Sequence, residues 1–192
     1  MRASVGSCAG AVVVGLSLSA CSASEEVPSV PEFQFTSGTL AIGEFSSSSV
    51  EGNLFDPCTE ISPEEYEAAG IPDVRPVPAD QQVTGYNSCD TGLYEDKVGQ
   101  RLVISGGTMS EAGYKRTSKN HLEYPESVVP GLYTITSDLS GVCIAQVDTV
   151  RGGLKVQMSA QGVGSEDVDS CQVARETIED LYKAVNTDEE EQ

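Results

Sequence analysis

Tryptophan is absent, histidine occurs once, and lysine plus arginine number 11 against 30 aspartates and glutamates, for a net charge of −19. Each scarcity removes a class of function. So negative a chain repels nucleic acid and anionic lipid headgroups alike, so no nucleic acid is expected as a partner and no membrane contact through a basic patch. Without tryptophan the strongest sugar-stacking side chain is missing from any carbohydrate cleft. The lone His121 would have to serve any Ser-His-Asp machinery, and no Gly-x-Ser-x-Gly elbow accompanies it. Beside Asn120 and Leu122, just after an expected helix, it reads as a surface or capping histidine. No Cys-x-x-Cys pair is present for redox work, and no two domain cysteines stand at a zinc-ligand spacing. Asp167-Val168-Asp169 lacks the glycine and closing glutamate of a calcium loop, and Gly106-Gly107 and Gly152-Gly153 are followed by no phosphate-loop lysine. No catalytic residue, cofactor or metal site is therefore assigned.

What is present begins at the N-terminus. Arg2 is the only charge before Glu25, and Ala9 to Ala20 is an apolar run too short to cross a bilayer as a helix. It closes in Leu18-Ser19-Ala20-Cys21, the order a bacterial lipobox needs: a leucine, two small residues and a thiol able to take a diacylglyceryl group. Residues 1–20 are expected to be a lipoprotein signal peptide, and Cys21 the lipidated N-terminus of the mature chain. Membrane attachment through that lipid, on the extracytoplasmic face, is the expected location.

Beyond Cys21 the chain holds Cys58, Cys89, Cys143 and Cys171, an even number for an oxidising compartment. Four cysteines permit three pairings. The sequential one, Cys58 with Cys89 and Cys143 with Cys171, is favoured because each bridge closes a loop of about thirty residues within one half of the domain, a length at which a bridge contributes roughly 3 kcal/mol.

Residues 21–53 are rich in Ser, Pro and Glu, include Ser46-Ser47-Ser48-Ser49, and read as a tether with a reach on the order of 30 Å. Phe33/Phe35 and Leu40/Ile42 alternate like a short strand, so an edge strand or an arm packed on the domain is the alternative for that part. A globular domain is expected over 54–186, followed by an acidic tail over 187–192. Ser62, Pro63 and Glu65 form a capping-box helix start, Ile61 can staple to Tyr66, and Gly70 supplies the stop, giving a helix over about 63–69. Strand character follows at 83–89, 92–98 and 100–105. A second helix is expected over about 109–119, capped by Thr108 with Glu111, carrying Lys115, Arg116 and Lys119 in a basic cluster that could contact an acidic partner, although local neutralisation of nearby carboxylates is the favoured role. Residues 131–137, 142–150 and 154–160 read as strands, the last alternating Leu154, Val156, Met158 and Ala160 with polar neighbours, and Arg151-Gly152-Gly153 as a turn. A final helix over about 166–185, capped by Ser165, shows Cys171, Ala174, Ile178, Leu181 and Val185 at three- and four-residue steps. The expected class is α+β: one antiparallel sheet, disulfide-stapled, with helices packed mainly on one face.

The lipobox at Cys21, the Ser-rich segment, Asp56-Pro57-Cys58 and the Ser62-Pro63-Glu64-Glu65 helix start together resemble the actinobacterial lipoproteins of the domain-of-unknown-function family 3558. Cys143 and the Cys171-Gln172-Val173-Ala174 helix opening extend the resemblance over about 54–186. Where members carry an aromatic after the second core cysteine, Cys89 is followed here by Asp90-Thr91. The resemblance implies an exported, usually lipid-anchored domain and brings no catalytic residues with it. The expected function is a non-enzymatic envelope lipoprotein that serves a protein partner or carries an apolar ligand between its last helix and the strands of 131–160. The alternative is a hydrolase acting on cell-wall material, which would need His121 and several carboxylates in one cleft.

Overall fold

A computed structural model describes residues 30–94, 99–117, 120–136, 141–161, 165 and 167–187. Cys21, the signal segment, residues 95–98 of an expected strand, Lys119 and all but Thr187 of the acidic tail lie outside the described residues. Among those described, no helix is long and apolar enough to cross a membrane.

The chain opens with a hairpin of β1 (Glu32–Phe35) and β2 (Gly38–Ala41). Two short helices follow, α1 (Pro57–Glu60) and α2 (Pro63–Ala68). Then come β3 (Arg75–Pro76), β4 (Tyr86–Asp90) and β5 (Gln100–Gly107), helix α3 (Glu111–Thr117), and β6 (His121–Glu123). The strands β7 (Tyr133–Thr136), β8 (Val142–Thr149) and β9 (Gly152–Ala160) lead to the long helix α4 (Ser170–Asn186). Seven strands form one antiparallel sheet in the order β3-β4-β5-β9-β8-β7-β6, and the β1–β2 hairpin is a separate two-stranded sheet. The fold is α+β as expected, but with two sheets rather than one.

Local chemistry explains the helix ends. Ser62 accepts from the Glu65 amide at 3.2 Å while Glu65 Oε2 accepts from the Ser62 amide at 2.7 Å, so both halves of the capping box are made. Asp56 caps α1 by accepting from the Cys58 amide at 3.0 Å, with Pro57 where its missing N–H costs nothing. Two expected helix starts are moved. The α4 cap is Asp169, whose Oδ1 accepts from the amides of Cys171 and Gln172, each at 3.0 Å, and the helix begins at Ser170 rather than near 166. The α3 cap comes from across the sheet: Asp148 Oδ2 accepts from the Glu111 amide at 2.8 Å, so the helix starts at Glu111 under a cap other than Thr108.

Period-2 alternation gives the sheet two unlike faces. On the first lie Leu102 and Ile104 of β5, Ala145 and Val147 of β8 and Leu154, Val156 and Met158 of β9, all buried against Ala174, Ile178 and Leu181 of α4. This is the main core, and the seam between α4 and the sheet is filled. The bridges Cys58–Cys89 (Cα–Cα 5.5 Å) and Cys143–Cys171 (5.0 Å) tie α1 and α4 to that face, the sequential pairing. Among the described helices, α3 alone sits on the opposite face.

Of the two readings of the segment around Phe33 to Ile42, the arm packed on the domain is the one formed. Phe33, Phe35, Leu40 and Val50 are all buried, and Phe33 stacks on Phe35 at 5.6 Å and meets the Tyr182 ring edge-on at 5.0 Å. Asn186 clamps the hairpin to α4, donating to the Glu32 carbonyl and accepting from the Gln34 amide. Ser46-Ser47-Ser48-Ser49 forms a hydrogen-bonded turn in which the Ser49 amide donates to the Ser46 carbonyl at 2.9 Å. Aromatic and aliphatic side chains without another place to bury outweigh a polar local composition, so the hairpin packs against α4.

Candidate functional site

The second face of the sheet carries the polar side chains. Strand register aligns Ser88, Ser105, Lys155, Gln146 and Tyr133 in one row across β4, β5, β9, β8 and β7. The neighbouring row runs Tyr86, Gly107, Gly153, Asp148. Its two glycines make room: a Cβ at Gly107 would stand 2.6 Å from the Tyr86 ring, and one at Gly153 would overlap the Gln146 amide. Tyr86 can therefore lie over the sheet, and its ring centroid is 3.8 Å from the Lys155 ammonium.

Two elements wall this face. The connection from Val77 to Val83 is pinned to β4 through Gln82, whose amide nitrogen donates to the carbonyls of Val77 and Ser88, each at 3.0 Å, while its oxygen accepts from the Ser88 amide. Helix α3 is held by the Asp148 cap and by Gln146, which donates to the Met109 carbonyl at 2.8 Å. Asp148 also accepts from Tyr133 and Gln146 at 3.1 and 2.9 Å; its burial outweighs these bonds and raises its pKa. Tyr114 of α3, hydrogen-bonded to Tyr86, closes the roof, and burial pushes its phenol pKa up. Between walls and sheet remains a groove of about 340 Å³.

Lys155 sits on the floor of this groove with 8 % of its surface exposed. Among the described residues no carboxylate pairs with it, and desolvation by burial alone pushes its pKa down from 10.5 to about 8. Buried lysines are ordinarily paired. Two arginines show the ordinary arrangement: Arg101 makes a bidentate pair with Asp90, and Arg151 joins the β8–β9 turn to Glu60 on α1. Burial of Glu60 works against its charge, but Arg151 and the Asp56 amide together outweigh it and lower the carboxyl pKa. The sequence marks Lys155 only as a polar neighbour in the β9 alternation, which places a residue on a face without saying whether that face is roofed.

His121 lies on β6, a strand the sequence does not announce, and is not a simple surface residue. Its side chain is 12 % exposed and its ring lies 5.0 Å from Tyr133. Its Nε2 is 3.1 Å from Glu111 Oε1, without hydrogen-bond alignment. Glu111, His121 and Glu123 bring one ligand atom each within 4.8 Å of one another. Lys115 already supplies a cation there, 3.0 Å from Glu111 and 2.8 Å from Glu123, which gives that residue of the basic cluster the local neutralising role expected for it. Among the described residues the seam between α4 and the strands of 131–160, where a cavity is expected, is filled by buried apolar side chains; a further cleft of about 450 Å³ lies beside α2, where its charged residues Glu67 and Asp73 are exposed.

The family model described as "Protein of unknown function (DUF3558)" matches residues 16–184. No curated protein and no solved structure matches the chain.

Proposed function

Because the chain belongs to DUF3558, a family of proteins of unknown function, we propose from its own residues that it is an exported actinobacterial lipoprotein, held on the extracytoplasmic face of the cell membrane by acyl chains on Cys21, and that its folded part is a non-catalytic binding module. Support for the anchor is the Leu18-Ser19-Ala20-Cys21 lipobox, which the family match, starting at residue 16, takes in. Support for binding is one observation above all: the roofed groove over a buried Lys155 that no described carboxylate pairs. A buried ammonium to which no described carboxylate brings a counter-charge is a cost that a ligand can offset.

The two bridges suit an oxidising exterior. Cys21 to Ser29 precedes the first described residue, enough chain to hold the domain off the headgroups while its charge keeps it from lying on them. A hydrolase acting on cell-wall material is the second reading, carried by the meeting of His121, Glu111 and Glu123. It is the weaker because Lys115 holds both carboxylates in ion pairs.

Replacing Cys21 with serine tests the anchor. The expected outcome is transfer of the protein from the membrane fraction to the soluble fraction, or accumulation of the unprocessed precursor, with loss of metabolic labelling by a fatty acid. Unchanged labelling in the variant would exclude Cys21 as the acylated residue.

A further inference from the structure

We propose that the groove on the second face of the sheet binds a small amphiphilic monocarboxylate, its carboxylate paired with Lys155 and its apolar body lying against Val103, Ile144 and Val77. This rests on the groove being the binding site, and adds the chemistry of what occupies it.

The head group is set by the donors on the floor. Lys155 offers one positive charge with no carboxylate to neutralise it among the described residues. Its cross-strand neighbour Ser105 donates its hydroxyl to Ser88 Oγ at 3.0 Å, and that bond leaves the Ser88 proton free to point at a ligand oxygen. One ammonium and one hydroxyl match the two oxygens of a carboxylate through charge-assisted bonds. A phosphate dianion would bring a second negative charge that only Arg101, already paired with Asp90, could meet, in a chain already at −19. A neutral amide or alcohol would leave the ammonium without a counter-charge, as before.

The body is set by the lining and the volume. Next to the polar row, the row Asp90, Val103, Gln157, Ile144 contributes two apolar side chains, Val103 and Ile144, and Val77 and Tyr114 line the same groove from the walls. At about 30 Å³ per water-sized group, 340 Å³ takes a ligand of roughly ten non-hydrogen atoms. An eight-carbon acid has that size. A phospholipid is far larger than this volume.

Octanoate, octanamide and octyl phosphate are the probes, titrated calorimetrically into the full folded domain with its disulfides intact at pH 7. Expected is saturable one-to-one binding of octanoate, at least tenfold weaker binding of the amide and the phosphate, and a fall in octanoate affinity as pH rises past 8. The other titratable or charged groups lining the groove are Tyr86 on β4, Tyr114 on α3 and Arg101 on β5. Lys155→Met should weaken octanoate at least tenfold while leaving amide affinity unchanged. If that variant does not fold, Ser88→Ala should weaken octanoate severalfold on the same comparison. Equal affinity for acid and amide, or octanoate binding untouched in Lys155→Met, would overturn the carboxylate and leave the groove as a site for another ligand. No binding of any probe would overturn both the carboxylate and its size class.

Discussion

Between pH 8 and pH 10.5 the wild-type protein gains roughly 3 kcal/mol of stability relative to Lys155→Met, the two midpoints of denaturation converging as the pH rises. The sign follows from proton counting. Folding lowers the lysine pKa from 10.5 to about 8 because burial penalises its charge. Across that window the unfolded chain binds the extra proton and the folded one does not, so stability increases with pH there. Below pH 8 both states carry the proton, and the folded state bears the full cost of a buried ammonium, offset in part by the Tyr86 ring. Methionine keeps most of the volume and carries no charge, so at pH 7 the variant is the more stable protein. The other charged and titratable groups lining the groove, Tyr86 on β4, Tyr114 on α3 and Arg101 on β5, are common to both chains. Urea denaturation at four pH values, without reductant, reads the effect. Parallel curves for the two proteins would mean that water reaches Lys155 freely and that the groove is no desolvated site.

The second large effect concerns the N-terminal hairpin. Phe33→Ala should cost about 3–5 kcal/mol, the usual range for emptying a buried aromatic site. Phe33 is fully buried, and its ring touches both Phe35 and Tyr182, so truncation opens a cavity between hairpin and α4 that neither neighbour fills alone. The expected readout is a lower urea midpoint with an unchanged slope, since the folded state keeps its extent. A loss below about 1 kcal/mol would instead describe a loosely attached arm, and the folded unit would then start after the Ser-rich turn.

That hairpin shows where local composition misleads. Residues 31–53 are polar on average, and four alternating apolar side chains are too few to reveal a partner about 150 residues away on α4. Strictly local signals do better. Ser62 with Glu65 specifies a helix start through bonds spanning three residues, and the structure makes both. The disulfide pairing was legible because short loops close at lower entropic cost. The α3 start was not, because Asp148 reaches its amide from 37 residues away, and no local pattern encodes an acceptor found through tertiary structure. The α4 start moves for a simpler reason: Ser165 and Asp169 are both good caps, and the one beside the Cys171 bridge is used.

The candidate site was the least legible part of the chain. Alternation in β9 assigns Leu154, Val156 and Met158 to one face and Lys155 and Gln157 to the other, as the structure has them. It implies that the second group faces water. What roofs Lys155 is assembled from Gln82, Tyr86, Tyr114 and Asp148, four positions on four different segments, each unremarked in sequence. His121 stands out for its rarity, yet its neighbours Glu111 and Tyr133 become visible only with the β6–β7 pairing.

The most direct test of a binding module with its site on the second face is photocrosslinking in intact cells. A photoreactive side chain placed at Val83, which is 62 % exposed on the groove wall, is compared with one at Val150, 51 % exposed on the β8–β9 turn. The expected result is a covalent adduct at residue 83, of the mass of a small organic acid, with none at 150. No adduct at 83, or the same products from both positions, would contradict it.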